Sequence, residues 1–257
     1  MGITEKNKFT ANLSGDEETF FSHIYDLSQR AFLKDCAFYG DFLSEGQQSE
    51  LLKRERLLPL KPVLFGGFED AERKMAGFIP EGYEEIFPIA AVRFTGRNLS
   101  KLTHRDFLGS IMGLGIKREK CGDIIINENE CFAIMQRDIA DFVANSIIKI
   151  GREGVSASFS ELDCLKIPER QFKTIKGTVA SLRLDAVLAL LCSSGRNSAM
   201  EKIKGGKVFV SGICVMKPDF HLNDGDVISV RGTGKAILKI GGTSRKDRVF
   251  ITLEKYV

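Results

Sequence analysis

The residues best placed to do chemistry lie in "GRNSAMEKIKGGKVFVSG", residues 195–212. Arg196, Lys202, Lys204 and Lys207 surround a Gly205–Gly206 pair, and the chain then switches to alternating apolar residues at Val208 and Val210. Cations at this density either form solvated surface or line an edge that holds a phosphate backbone. A helix starting near Arg196 would favour the second use, because its free backbone N–H groups and positive dipole end attract anions. A guanidinium there can also grip phosphate through two hydrogen bonds. Arg183, Asn197, Ser211 and Lys217 extend the candidate surface, with Asp185 placed to buttress Arg183 or to cap a helix. A second basic group, Arg105, Lys117, Arg118 and Lys120, lies further upstream, and Arg245 and Lys246 add a basic tip near the C-terminus. For Lys117, Arg118 and Lys120 the competing reading is a solvated helix end complementing its dipole.

Catalytic patterns fail one by one. "THRDF" partly matches a kinase catalytic loop, but Ile111 stands where the metal-binding Asn belongs. "GLGIKR" lacks the third glycine of a dinucleotide fingerprint, and "GTGKA" lacks the upstream glycine and the Ser/Thr of a phosphate loop. His23, His104 and His221 are far apart with no metal-ligand spacing. The six cysteines, Cys36, Cys121, Cys131, Cys164, Cys192 and Cys214, form no Cys-x-x-Cys pair and are expected to be buried thiols of a reducing compartment. No catalytic residue, metal site or cofactor is expected.

Charge divides the chain. Residues 1–90 carry 10 Lys/Arg and 16 Asp/Glu, residues 91–165 carry 10 of each, and residues 166–257 carry 17 and 8. The balances are therefore −6, zero and +9, a polarity that points to a polyanion-binding module at the C-terminal end. The acidic N-terminal segment is open to protein partners. No apolar run approaches the roughly 18 residues that span a bilayer, and residues 1–20 lack the apolar core of a secretion signal. Membrane insertion is not expected, and the expected location is cytoplasmic.

Three segments must position these residues: 1–82, 83–166 and 170–257. In the first, acids open a helix over residues 16–35 that places Phe20, Phe21, Ile24, Leu27 and Phe32 near one stripe. Ser44 can cap a second, polar helix, and Gly66–Gly67 reads as a tight turn or bulge. The second segment alternates: strand 86–96, helix 103–115 with Thr103 and Asp106 close to a capping box, a hairpin of "GDIIIN" and "CFAIMQ", a helix from Arg137, and a strand "VSASFSEL". This β-α-β-β-α-β order predicts a ferredoxin-like fold within a multidomain α+β protein. Its strands "DIIIN" and "CFAIM" lack the aromatic pairs of a base-stacking sheet. In the third, Leu184, Val187, Leu188 and Leu191 make a helix stripe stopped at Gly195. A second helix, a hairpin turning at Ser211–Gly212 and three further strands follow.

The spacing Arg183-Leu184-Asp185, Leu188, Arg196-x-x-Ala199, Ile203, Gly206-x-Val208-x-Val210-x-Gly212, Pro218 and Gly225-Asp226-x-Ile228 resembles the αL RNA-binding motif of small-subunit ribosomal protein S-four. Two positions depart from it: Gly195 replaces a Ser before the second-helix Arg, and Ser211 replaces the hairpin Asn. With "FGGFEDAERKMAGFIP", "KLTHRDFLGSIMGLGIKREKCGDIII" and "SRKDRVFITLEKY", nearly the whole chain is similar to the bacterial YlmH family of RNA-binding proteins. The resemblance implies an αL domain at 170–257 and a ribosome-associated role. The expected partners are ribosomal RNA, chiefly of the large subunit, and tRNA, in the rescue of stalled nascent chains. Two other functions stay open: an RNA-modifying enzyme with its site in the middle segment, and a cell-division adaptor working through the acidic segment.

Overall fold

The computed structural model describes residues 2–168, 171–243 and 248–256. They form an α+β protein of two compact units, Met1–Pro168 and Glu169–Val257.

The first unit opens with α1 (Gly2–Phe9) and α2 (Gly15–Lys34), followed by β1 (Phe38–Leu43), α3 (Glu45–Arg54), β2 (Val63–Phe65) and β3 (Lys74–Phe78). The strands make an antiparallel sheet in the order β1-β3-β2. Helix α2 buries Phe21, Ile24, Tyr25, Leu27, Ser28 and Ala31. Phe32, expected on that stripe, is 60 % exposed. It lies one position past Ala31, and the 100° step of the helix carries it off the buried face. Ser44 caps α3 as expected: its hydroxyl accepts from the Gln47 N–H while the Gln47 side chain accepts from the Ser44 N–H.

The chain continues with β4 (Ile89–Thr95), α4 (His104–Met112), β5 (Cys121–Ile126), β6 (Glu130–Gln136), α5 (Arg137–Ser146), a two-residue ribbon of β7 (Lys149–Ile150) and β8 (Glu153–Gly154), and β9 (Ser156–Ser160). The four longer strands form an antiparallel sheet in the order β5-β6-β4-β9. At α4, the Asp106 carboxylate accepts from the Thr103 N–H at 2.8 Å and its hydroxyl at 2.7 Å, fixing the helix start. Phe107 and Ile111 from α4 and Val143 from α5 pack with Phe94, Cys131 and Met135 of the sheet.

The two sheets of this unit share a core. Phe42 and Met75 from the first meet Ile125, Phe132 and Ile134 from the second, with Phe87 between. Gly66 allows the tight turn between β2 and β3. A Cβ there would lie 2.4 Å from the Arg73 carbonyl oxygen and 2.4 Å from the Ala71 Cβ. Gly67 (φ +98°) packs on Ile134 and Leu162. The pair is a packed turn.

The second unit comprises β10 (Phe172–Val179), α6 (Leu184–Leu191), α7 (Arg196–Lys204), β11 (Val208–Val210), β12 (Ile213–Cys214), β13 (Val227–Val230), β14 (Gly234–Thr243) and β15 (Val249–Tyr256). Its antiparallel sheet runs β10-β15-β14-β13-β11-β12. Leu184, Val187, Leu188 and Leu191 of α6, with Ala199 and Ile203 of α7, bury one face of that sheet through Val208, Val210, Ile228, Leu238, Ile251 and Leu253. Ser193 takes the left-handed position after α6 (φ 48°), while Gly195 caps the start of α7 at φ −64°. The stop expected at Gly195 therefore falls two residues earlier. Ser211 (φ 47°) and Gly212 (φ 78°) close the β11–β12 hairpin with positive φ at both central positions, the combination that matches strand twist.

Candidate nucleic-acid interface

The geometry of the basic stretch begins with a buried acid. Asp185, 2 % exposed in the first turn of α6, accepts two hydrogen bonds from each of two arginines. Arg183 donates through Nε and Nη2 at 3.2 and 3.3 Å, and Arg196 through the same two atoms at 3.0 and 3.1 Å. Burial pushes the Asp185 carboxyl up, but hydrogen bonds from Arg196 and Arg183, and then their charges, outweigh it and hold the group below the usual aspartate range. Each guanidinium thus spends one edge on Asp185 and keeps Nη1 for an outside partner. Their side chains remain 42 % and 55 % exposed.

Backbone groups frame this anchor. The Leu184 and Asp185 N–H groups, at the start of α6, donate to the Phe220 and Pro218 carbonyls, so that helix end is already satisfied. The same loop carries Lys217, which is exposed. The start of α7, with Arg196 and exposed Asn197, has no side-chain cap.

Lys204 stands at the other end of α7, about 12 Å along the axis from Arg196. Arg196, Met200 and Lys204 follow an i, i+4, i+8 row on the helix, so the two cations share a ridge. Gly206 (φ +64°) then reverses the chain, and the Lys207 N–H donates to the Lys202 carbonyl at 3.1 Å. Lys202, Lys204, Lys207 and Lys217 have no ion-pair partner among the described residues. Ser211 serves its turn: its hydroxyl donates to Asp226 at 3.4 Å and its N–H to the Val227 carbonyl at 2.8 Å.

One cation of this edge carries no signal in sequence spacing. Arg231 donates its N–H to the Lys207 carbonyl at 2.9 Å and lays its guanidinium over the Phe209 ring at 5.2 Å. The β11–β13 register, Val208 opposite Val230, brings it there.

The upstream basic group is not gathered in the same way. Arg118 is spent inside the fold, its Nη1 donating to the Cys121 and Gly122 carbonyls at 2.6 and 3.1 Å. Lys120 pairs with Asp41 at 2.5 Å. Arg105 and Lys117 are exposed. Arg245 and Lys246 lie outside the described residues. Arg73 joins the two sheets of the first unit: it donates to the Cys121 and Phe42 carbonyls at 3.0 and 2.9 Å. Burial lowers the Arg73 pKa to about 10, and neighbouring Arg118 adds to that fall.

A 580 Å³ cleft at the edge of the β4–β6 sheet holds Arg93 and Lys166, both paired with Glu130 at 2.7 and 2.8 Å. With Glu128 also on its wall, its charges balance. Among the described residues, no group of three or more His, Cys, Asp or Glu is placed to hold a metal, and no helix is long and apolar enough to cross a membrane. The cysteines divide: Cys121 and Cys131 are buried, Cys36 and Cys192 are half-buried, and Cys164 and Cys214 are exposed. The expectation of uniformly buried thiols therefore fails for Cys164, in a short turn after β9, and for Cys214, on the edge strand β12.

Residues 84–163 match the family described as "Putative RNA-binding domain in YlmH". Over 221 residues the chain is 38 % identical to "Ribosome-associated protein quality control protein P2" of Bacillus subtilis (strain 168), covering 84 % of this chain and 86 % of that protein. The chain belongs to the YlmH family. A solved structure, "Cell division protein ylmH from Streptococcus pneumoniae", is similar in fold, with a TM-score of 0.53 at 19 % identity, over 61 % of this chain and 98 % of the other. The arginine anchor and lysine edge described above are therefore parts of a chain of this family. The region matched by the RNA-binding description holds Arg105 and Lys117, and the lysine edge lies beyond its C-terminal limit.

Proposed function

We propose that this chain is a non-enzymatic RNA-binding factor that works on the ribosome. One observation carries the reading: Lys202, Lys204, Lys207 and Lys217, without ion-pair partners among the described residues, flank two arginines pre-oriented by buried Asp185. Held forks lose little freedom when they meet phosphate, and each neutralised phosphate releases counterions from RNA. The second unit acts as an αL domain docking on structured RNA of the large subunit. The middle segment, 83–166, acts as a ferredoxin-like module, and Arg105 and Lys117 give it a second contact, with tRNA. The relative's printed role in ribosome-associated quality control supports a function in rescuing stalled nascent chains. A protein partner for the acidic segment 1–82 would meet Phe32, Leu33 and Leu57, which are exposed.

Co-sedimentation through sucrose gradients tests this reading. Arg196→Glu would place an acid against buried Asp185 and confound folding with binding, so the informative variant is Lys204→Glu/Lys207→Glu. Wild type should travel with ribosomal particles at low salt and leave them at high salt, and the variant should stay at the top of the gradient. Wild type that never reaches the particles, or a variant that travels equally well, would overturn it.

A further inference from the structure

The six-stranded sheet of the second unit has two unlike faces. The helices cover one. Strand alternation sends Phe172, Thr174 and Lys176 of β10, Phe250, Thr252, Glu254 and Tyr256 of β15, Lys235 and Lys239 of β14, Ser229 of β13 and Phe209 of β11 to the other. Phe172 and Phe250 on this face are 39 % and 50 % exposed. An outer sheet face with large aromatic side chains at this exposure needs an explanation.

Cross-strand register arranges part of this face as a stripe. Phe172 stands opposite Tyr256 with ring centroids 5.1 Å apart. Lys235 holds its ammonium over Tyr256 at 5.7 Å and stands opposite Ser229. Ser229 stands opposite Phe209, and Arg231 covers that ring at 5.2 Å. The stripe crosses five strands, about 19 Å at the usual strand spacing. At its Arg231 end the Arg231 backbone N–H donates to the carbonyl of Lys207, a lysine of the edge described above. The charge of the face is also one-sided. Among the described residues of the face named above, Lys176, Lys235, Lys239 and Arg231 stand with one carboxylate, Glu254, which is paired with Lys239 at 2.6 Å.

We propose that this stripe is a stacking platform for unpaired RNA, taking the bases of a single strand whose phosphates continue from the lysine edge. The proposal rests on the RNA-binding reading above and adds a ligand class to it. Aromatic rings with adjacent cations suit a polyanion whose bases each present a π-face. Duplex RNA does not suit the stripe, because its bases are stacked on each other and inaccessible. An apolar protein partner would leave the net positive charge of this face unmatched.

The test uses the full chain and two probes: a twelve-nucleotide oligouridylate carrying one 2-aminopurine, and a blunt RNA hairpin of equal charge. Phe172→Leu, Tyr256→Leu and Phe209→Leu keep apolar bulk and remove the ring. Each should weaken single-strand affinity about tenfold and abolish quenching of 2-aminopurine, while hairpin affinity stays within about twofold. Tyr256→Phe should restore both signals, which separates stacking from a folding defect. If all three leucine variants keep wild-type quenching and single-strand affinity, the platform does not exist. Lys204→Glu/Lys207→Glu separates the two readings. Loss of both probes in that variant, with the leucine variants unaffected, overturns the platform alone. Wild type that binds neither probe overturns the RNA-binding reading as well.

Discussion

Replacing Asp185 by Asn removes the charge that anchors Arg183 and Arg196 while keeping the shape of the side chain. Each guanidinium pair joins a buried carboxylate to a half-exposed arginine, where such pairs contribute roughly 0.2–1 kcal/mol. A carboxylate in the first turn of α6 also complements the helix dipole, worth about 0.3–1 kcal/mol. Together these give a loss of about 2 kcal/mol, which for a unit of this size lowers Tm by roughly 10 °C. The sign of the pH dependence follows from the depressed folded pKa. Stabilisation is complete above the unfolded value of roughly 3.9 and is lost as pH falls from there through the lower folded value. Thermal melts followed by circular dichroism at several pH values should show a wide gap between wild type and Asp185→Asn near neutrality that closes in acid. Equal melting at neutral pH, or a gap unchanged in acid, would refute the anchor.

Two more outcomes follow from the first unit. Arg118→Ala should lower stability by about 2 kcal/mol, because it strips a charged donor from the Cys121 and Gly122 carbonyls. It should leave hairpin-RNA affinity within about twofold, measurable by fluorescence anisotropy. Gly66→Ala, whose new methyl would meet a carbonyl oxygen at 2.4 Å, should cost at least about 2 kcal/mol in urea melts by forcing the backbone to shift.

Helices α2 to α7, and the caps of α3 and α4, are legible in the sequence because the signals are local. Ser44 with Gln47 and Thr103 with Asp106 are three residues apart, and apolar stripes mark α2, α4 and α6. Strand β3 is hidden because "KMAGF" follows a charged run and contains a glycine, so it resembles a loop. Strand β10 is hidden because "FKTIKGTV" puts a lysine on each face, at Lys173 and Lys176, and a glycine in its interior, and it lies at the sheet edge, where one side needs no burial. The basic positions are legible as residues, but their arrangement is not. Asp185 meets Arg196 only after the α6–α7 turn closes, Arg231 arrives through β-sheet register, and Arg118 turns inward to carbonyls that no spacing rule announces. The stacking stripe depends on the register of five strands, three of them far apart in sequence.

The most direct measurement of the lysine edge is the salt dependence of affinity for purified large-subunit ribosomal RNA. Log K against log salt should fall steeply for wild type. Lys202→Gln/Lys204→Gln/Lys207→Gln should make that slope shallower by about 2, since each phosphate left without its lysine removes roughly 0.7–0.9. A slope unchanged in that variant, with the protein still folded, would contradict an RNA interface built on α7 and β11.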